Sequence, residues 1–270
     1  MPVARGEGCA DIHYEVRGSG ASAIVMSAGM GGSGRFWEPQ VAALSERHRV
    51  ILYDHVGTGR STRQIQGDLS VGRMARDAVA VMDAEGLSAA HFVGHAIGGI
   101  VSLECALQFP SRTRSLTIVN GWARADAHLR RCFAVRKEIL RMSGPEGYVR
   151  AQPLFLFPPR WIAEHDAHLD AEAAEMVDHF PVTSVMLNRI DLFLGFDATD
   201  RLASIRTPTL IMSSADDMLV PPYLSEQLAQ GIDGAEHQVV DYGAHAFTAV
   251  CPDRFNQALL AFLSKQDSSA

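Results

Sequence analysis

Short apolar runs alternate along this chain with longer stretches in which apolar residues recur every three or four positions. Ile12–Val16 alternates polar and apolar residues as a strand does, and Ala23–Ser27 is an apolar run that ends in glycines. Phe36–Arg47 has helical spacing, and Val50–Tyr53 predicts the next strand. Apolar residues at Val71, Met74, Ala78, Val81 and Met82 form one helical face over Val71–Glu85, which stops at Gly86. His91–Val93 predicts a strand, Ile97–Leu107 a largely apolar helix ending before Pro110, and Leu116–Val119 another strand.

Alternation of strands and helices, with strands apolar on both sides, implies a parallel sheet covered on both faces. The rhythm breaks between about 123 and 205, where only helical patterns occur: Ala127–Met142, Trp161–Phe180 and a third around Ser184–Leu194. It then resumes with Thr209–Met212 (strand), Tyr223–Gln230 (helix), Gln238–Val240 (strand) and Pro252–Leu263 (helix). The expected fold class is α/β, a mostly parallel sheet with helices on both faces. It is expected to be one domain over residues 1–270, with a helical cap over about 123–205. Such an insertion would cover the carboxyl edge of the sheet, where open α/β sheets bind ligands.

Composition narrows the function classes. The 270 residues are 47% hydrophobic and 20% charged, an ordinary globular balance. A net charge of −7 argues against a nucleic-acid partner. The opening MPVARGEGCADIHYEV lacks the apolar core of a signal peptide, and no run approaches the roughly 18 apolar residues of a membrane span. Cys9, Cys105, Cys132 and Cys251 lie far apart with no CxxC spacing, as reduced structural thiols would. The expectation is a cytoplasmic protein that acts on a small molecule, with no membrane partner; a homodimer is left open. The eleven histidines are scattered along the chain with no evident metal-ligand cluster, so no metal is expected.

Two glycine motifs compete for the chemistry. Gly29-Met30-Gly31-Gly32-Ser33-Gly34 matches GxGxxG, follows a strand, and has Asp54 at the end of the next one, which fits a dinucleotide-binding turn. That turn normally sits in the first strand–helix unit, whereas here a strand precedes it. The second motif is Gly94-His95-Ala96-Ile97-Gly98-Gly99, between a strand and a helix. Further on, Asp216-Asp217 follows a late strand, and Tyr242-Gly243-Ala244-His245 follows the last one. Taken singly, each is as well explained by a turn, a cap or a structural histidine.

Together these segments resemble the α/β-hydrolase superfamily over nearly the whole chain. The family's nucleophile elbow reads G-x-S-x-G, and its acid and histidine follow in that order. Asp54-His55-Val56-Gly57-Thr58-Gly59-Arg60-Ser61 is similar to the family's D-x-x-G-x-G-x-S turn, and Ser27-Ala28-Gly29-Met30 looks like its oxyanion loop. The resemblance implies Ala96 at the nucleophile position, Asp217 as acid with Asp216 as the alternative, and His245 as base. The oxyanion donors would be the backbone N–H groups of Met30 and Ile97. No cofactor is implied.

A narrower resemblance rests on Asn120-Gly121-Trp122-Ala123-Arg124, on His128, on Arg130-Arg131-Cys132-Phe133, and on Ala151-Gln152-Pro153-Leu154-Phe155-Leu156-Phe157-Pro158. These look like the segments at the cap entrance of the aminoacrylate or carbamate hydrolases of the Rut pyrimidine-degradation pathway. That resemblance implies a native alanine at position 96 and hydrolysis of a small C–N substrate. With no hydroxyl at Ala96, the retained Asp217 and His245 lead to the expectation that histidine-assisted water does the work. Asn120, Trp122 and Arg124 are the expected substrate-binding residues, Arg124 as carboxylate clamp. Val56 stands where this family would have arginine. The rival expectations are a serine-dependent esterase or C–C hydrolase carrying a Ser→Ala change at position 96, and a non-catalytic binding module on the same fold.

Overall fold

The computed structural model describes residues 2–268. Its strands are β1 (Val3–Arg5), β2 (Asp11–Arg17), β3 (Ser22–Ser27), β4 (His48–Tyr53), β5 (Ala90–His95), β6 (Thr113–Val119), β7 (Thr209–Ser214) and β8 (Glu236–Val240). They form one sheet in the order β1-β2-β4-β3-β5-β6-β7-β8. The first two strands are antiparallel to their neighbours, and every later pairing is parallel. β5 and β7 are buried along their whole length, whereas the edge strand β8 is partly exposed. This is why the central strands read as continuous apolar runs.

Between the strands lie α1 (Glu38–Ser45), α2 (Val71–Ala84) and α3 (Ile97–Gln108). Then come α4 (Ala127–Ala151), α5 (Pro153–Leu156), α6 (Pro159–Glu164), α7 (Asp166–Asp178) and α8 (Thr183–Gly195), all between β6 and β7. Last are α9 (Pro222–Gly231), α10 (Phe247–Val250) and α11 (Pro252–Asp267). Two buried apolar clusters lie on opposite faces of the sheet. One includes residues of α2, α3, α9 and the cap helices. The other packs Trp37 with residues of α1 and α11.

Local signals explain most of the boundaries. Ser70 caps α2 by accepting from Arg73 N at 3.0 Å, and Asp126 caps α4 by accepting from Leu129 N at 2.8 Å. The elements expected from the sequence differ from those of the structure at several points. Helix α4 runs nine residues past Met142, but across a break at Gly144 (φ 65, ψ −168) followed by Pro145. The single helix expected over Trp161–Phe180 is two, α6 and α7, because His165 leaves helical geometry and its ring donates to the Trp161 carbonyl at 2.8 Å. The helix expected from Phe36 begins as a 3₁₀ turn, with α1 starting at Glu38. The three-residue β1 is too short for its pattern to be read.

Candidate active site

The backbone turns sharply at Ala96, between β5 and α3, with φ 49 and ψ −111. An L residue in this region costs about 1–3 kcal/mol and persists only where its surroundings impose it. Here they do. A Cβ on Gly98 would lie 2.0 Å from the Ser27 carbonyl oxygen, and one on Gly94 would lie 2.1 Å from the Gly98 oxygen. The flanking residues must therefore be glycine, as the G-x-A-x-G spacing suggests. Ile97 opens α3, so its N–H is one of the first-turn amides that have no partner inside the helix. A methyl group on Ala96 offers no nucleophile.

Three segments converge on this bend from the carboxyl ends of neighbouring strands. His245 Nδ1 donates to Asp217 Oδ2 at 2.7 Å, and both side chains are buried. Asp217 Oδ1 accepts from Leu219 N at 2.8 Å and Val220 N at 2.9 Å, so the carboxylate is held on both oxygens. Asp216 is committed elsewhere. It accepts from Ser214 Oγ and from the amides of Gly243 and Ala244, fixing the loop that carries His245. With Nδ1 bound to a carboxylate, the lone pair of His245 sits on Nε2.

His95, next to Ala96, stacks against Phe36 and lies with its ring 4.6 Å from that of His245. Its Nε2 donates to the His245 carbonyl at 2.8 Å. Burial, and then the neighbouring His245, push it well below the usual histidine range, so it is a neutral brace. Asn120 acts in the same way. Its Nδ2 donates to the same carbonyl at 2.8 Å, and its Oδ1 accepts from Ser214 N at 3.2 Å. Trp122 is buried, and its Nε1 has no protein acceptor.

On the other side of the bend, Met30 lies in the turn after β3. The glycine-rich stretch that resembled a dinucleotide turn is tied to the fold through Asp54. One oxygen of Asp54 accepts from Gly34 N at 2.8 Å, and the other from Arg60 N and Nε at 2.9 Å. The carboxylate is fully buried in this role, away from any ribose.

The cationic side chains are arranged differently from the sequence expectation. Arg124 is at the surface, its side chain 66% exposed and 3.9 Å from Asp197, and Arg130 and Arg131 are exposed as well. Two other arginines are buried beneath the cap. Arg136 of α4 lies over the rings of Phe133, Tyr148 and Phe155 and donates to Gln152 Oε1 at 2.9 Å. Arg189 of α8 is fully buried and reaches the turn after β3. Its Nη2 donates to the Met30 carbonyl at 3.3 Å and to His55 Nδ1 at 3.1 Å. His55 Nε2 in turn bonds Ser27 Oγ at 2.9 Å. Burial pushes His55 well below its usual range, and the Arg189 cation adds to this, so the ring is neutral. Sequence reasoning missed Arg189. The available signal was an arginine on the buried face of a helix, beside Met186, Ile190 and Phe193.

Comparison with known proteins agrees with this fold. Residues 22–248 match the family model described as "alpha/beta hydrolase fold". The chain is 61% identical over 267 residues, 99% of its length and 100% of the relative's, to a protein of Azorhizobium caulinodans named "Putative carbamate hydrolase RutD". It is 48% identical to a protein of the same name from Caulobacter vibrioides, with 93% and 95% of the two chains covered. Among solved structures it is similar to the enol-lactonase of Burkholderia xenovorans, with a TM-score of 0.85, 26% identity, and 97% and 100% of the chains covered.

Proposed function

Since the chain belongs to the α/β-hydrolase-fold family, and within it to the group of relatives that carry the carbamate-hydrolase name, we propose that it hydrolyses a small C–N substrate in pyrimidine nitrogen catabolism. Carbamate and aminoacrylate are the substrates that this reading supports. The observation that carries it is the buried Asp217–His245 pair, 2.7 Å apart, set beside an elbow that is complete except for a hydroxyl.

Covalent catalysis at position 96 is excluded, because a methyl group cannot form an acyl-enzyme. The remaining groups suffice for direct attack by water. His245 Nε2 takes a proton from a water molecule near the Ala96 methyl, and the oxygen adds to the carbamate carbon. The Met30 and Ile97 amides hold the oxygen that gains charge. His245 then returns the proton to nitrogen, the C–N bond breaks, and bicarbonate and ammonia leave. On aminoacrylate water adds across the C=C bond: the oxygen goes to the carbon bearing nitrogen, His245 passes the proton to the carbon next to the carboxylate, and loss of ammonia then leaves an aldehyde. General-base assistance is worth about 10²–10⁴-fold. That is enough for a substrate that already breaks down readily.

The test compares turnover of both substrates by the wild-type protein, His245→Ala and Ala96→Ser. Catalysis that depends on His245 and needs no serine supports the reading. Strong ester or C–C hydrolysis that appears only in Ala96→Ser contradicts it.

A further inference from the structure

A fully buried arginine normally faces a carboxylate, because an unpaired buried charge is costly. Arg189 faces none among the described residues. The groups that favour its charge are the hydroxyls of Tyr53 and Tyr148, both neutral. Burial pushes the guanidinium down to about 10. A guanidinium has five N–H donors, and the two on Nη2 are spent on Met30 and His55. The remaining three, one on Nε and two on Nη1, find no protein acceptor although both nitrogens are buried. Trp122 Nε1 is likewise buried without a partner. Arg136 is not equivalent, since three aromatic rings surround its charge, whereas Arg189 has one ring at 6.0 Å, the outer limit of such contacts.

Arg189 also stands in a telling place. It bonds the carbonyl of the residue whose amide is the proposed oxyanion donor, so a single residue, Met30, links the cation to the reacting centre. We propose that Arg189 is the anion anchor of the active site, its uncommitted N–H groups binding the carboxylate of a small monoanion whose reacting atom lies beside Met30 and Ile97. This rests on the Asp217–His245 pair being the catalytic site, and it sets the substrate class as a short planar carboxylate or a carbamate-sized anion. Neutral esters lack the charge that Arg189 would pair.

The probes are crotonate, which has a methyl group where an enamine has nitrogen, its neutral counterpart crotonamide, and bicarbonate, an isostere of carbamate. Calorimetric titration of the intact protein should show that it binds crotonate or bicarbonate, with crotonamide at least tenfold weaker than crotonate. Arg189→Met should weaken anion binding about a hundredfold, the value of a charge-assisted contact, and leave crotonamide unchanged. Arg189→Lys, which keeps charge but loses the planar fork, should fall between. Wild-type affinity for the anions in Arg189→Met would overturn the proposal. So would a wild-type protein that binds neither anion, or one that binds crotonamide as well as crotonate, a comparison that needs no variant to fold. His245→Ala should retain crotonate binding. Turnover that does not depend on His245, with anion binding intact, would remove the hydrolysis reading and leave the anchor standing.

Discussion

Two buried sets of charged groups meet at Ala96, and they are built on opposite rules. On the sheet side, Asp217 has both oxygens satisfied, His245 is oriented by it, and the His245 carbonyl is held by His95 and Asn120. On the cap side, Arg189 faces no carboxylate among the described residues and keeps unpaired donors. A group that must hold one geometry through the reaction is fixed by internal hydrogen bonds. A group that awaits a ligand leaves its own bonds unmade. On the proposed reading, the sheet side is machinery and the cap side recognition.

The largest effect that would break this contrast is expected at Gly98→Ala. The new methyl would meet backbone oxygens of Ser27 and Ala28 at 2.0 and 2.5 Å, neither of which can move without shifting β3. Loss of more than about 3 kcal/mol in urea unfolding, or failure to fold, is expected. A fall below about 0.5 kcal/mol would mean that the elbow is not tightly packed. Asp217→Ala follows. It strands two backbone amides and the His245 N–H, and should cost about 2–4 kcal/mol by the same measurement. In contrast, Arg189→Met removes a buried charge with no ionic partner, so stability without ligand should stay the same or rise by about 1–2 kcal/mol. A loss as large as that of Asp217→Ala would erase the distinction between the two sides.

Much of the sheet side is legible in the sequence, and little of the cap side is. Glycines at 94 and 98, an aspartate after β7 and a histidine after β8 are set by backbone geometry, which repeats wherever this turn is built. Proximity in sequence could not separate Asp216 from Asp217; the loop at Gly243 and Ala244 does, by taking Asp216 for itself. The cap follows no such rule. Arg124 lies near β6 in sequence but projects outward, while Arg189, far along the chain, turns inward from α8. The orientation of a cap helix depends on how α4, α7 and α8 pack, and the breaks at Gly144 and His165 that set this packing leave only weak traces in the pattern.

The smallest expected effect is in the pH dependence of stability. His55 and His95 have folded pKa values well below their usual value. Their contribution is therefore complete above about pH 6.5 and is lost as pH falls, by at most about 1.4 kcal/mol per unit for each. Asp77 acts in the opposite direction: burial raises it to about 6, so its contribution is present below about pH 4 and lost by pH 6. Thermal unfolding of Asp77→Asn should thus show a steeper decline below pH 6.5 than wild type. Arg189→Met should soften the decline, since the cation that helps to depress His55 is gone. An identical slope in all three proteins would contradict the link between the cap cation and the histidine below it.

The central claim, catalysis by a histidine–aspartate pair without a nucleophile, is tested most directly by ammonia release from freshly generated aminoacrylate and from carbamate. The rate with wild-type protein is compared with His245→Ala and with buffer alone. A rate above buffer that returns to the buffer level in His245→Ala is the expected result. A wild-type rate equal to buffer, or one that His245→Ala leaves unchanged, would contradict the account.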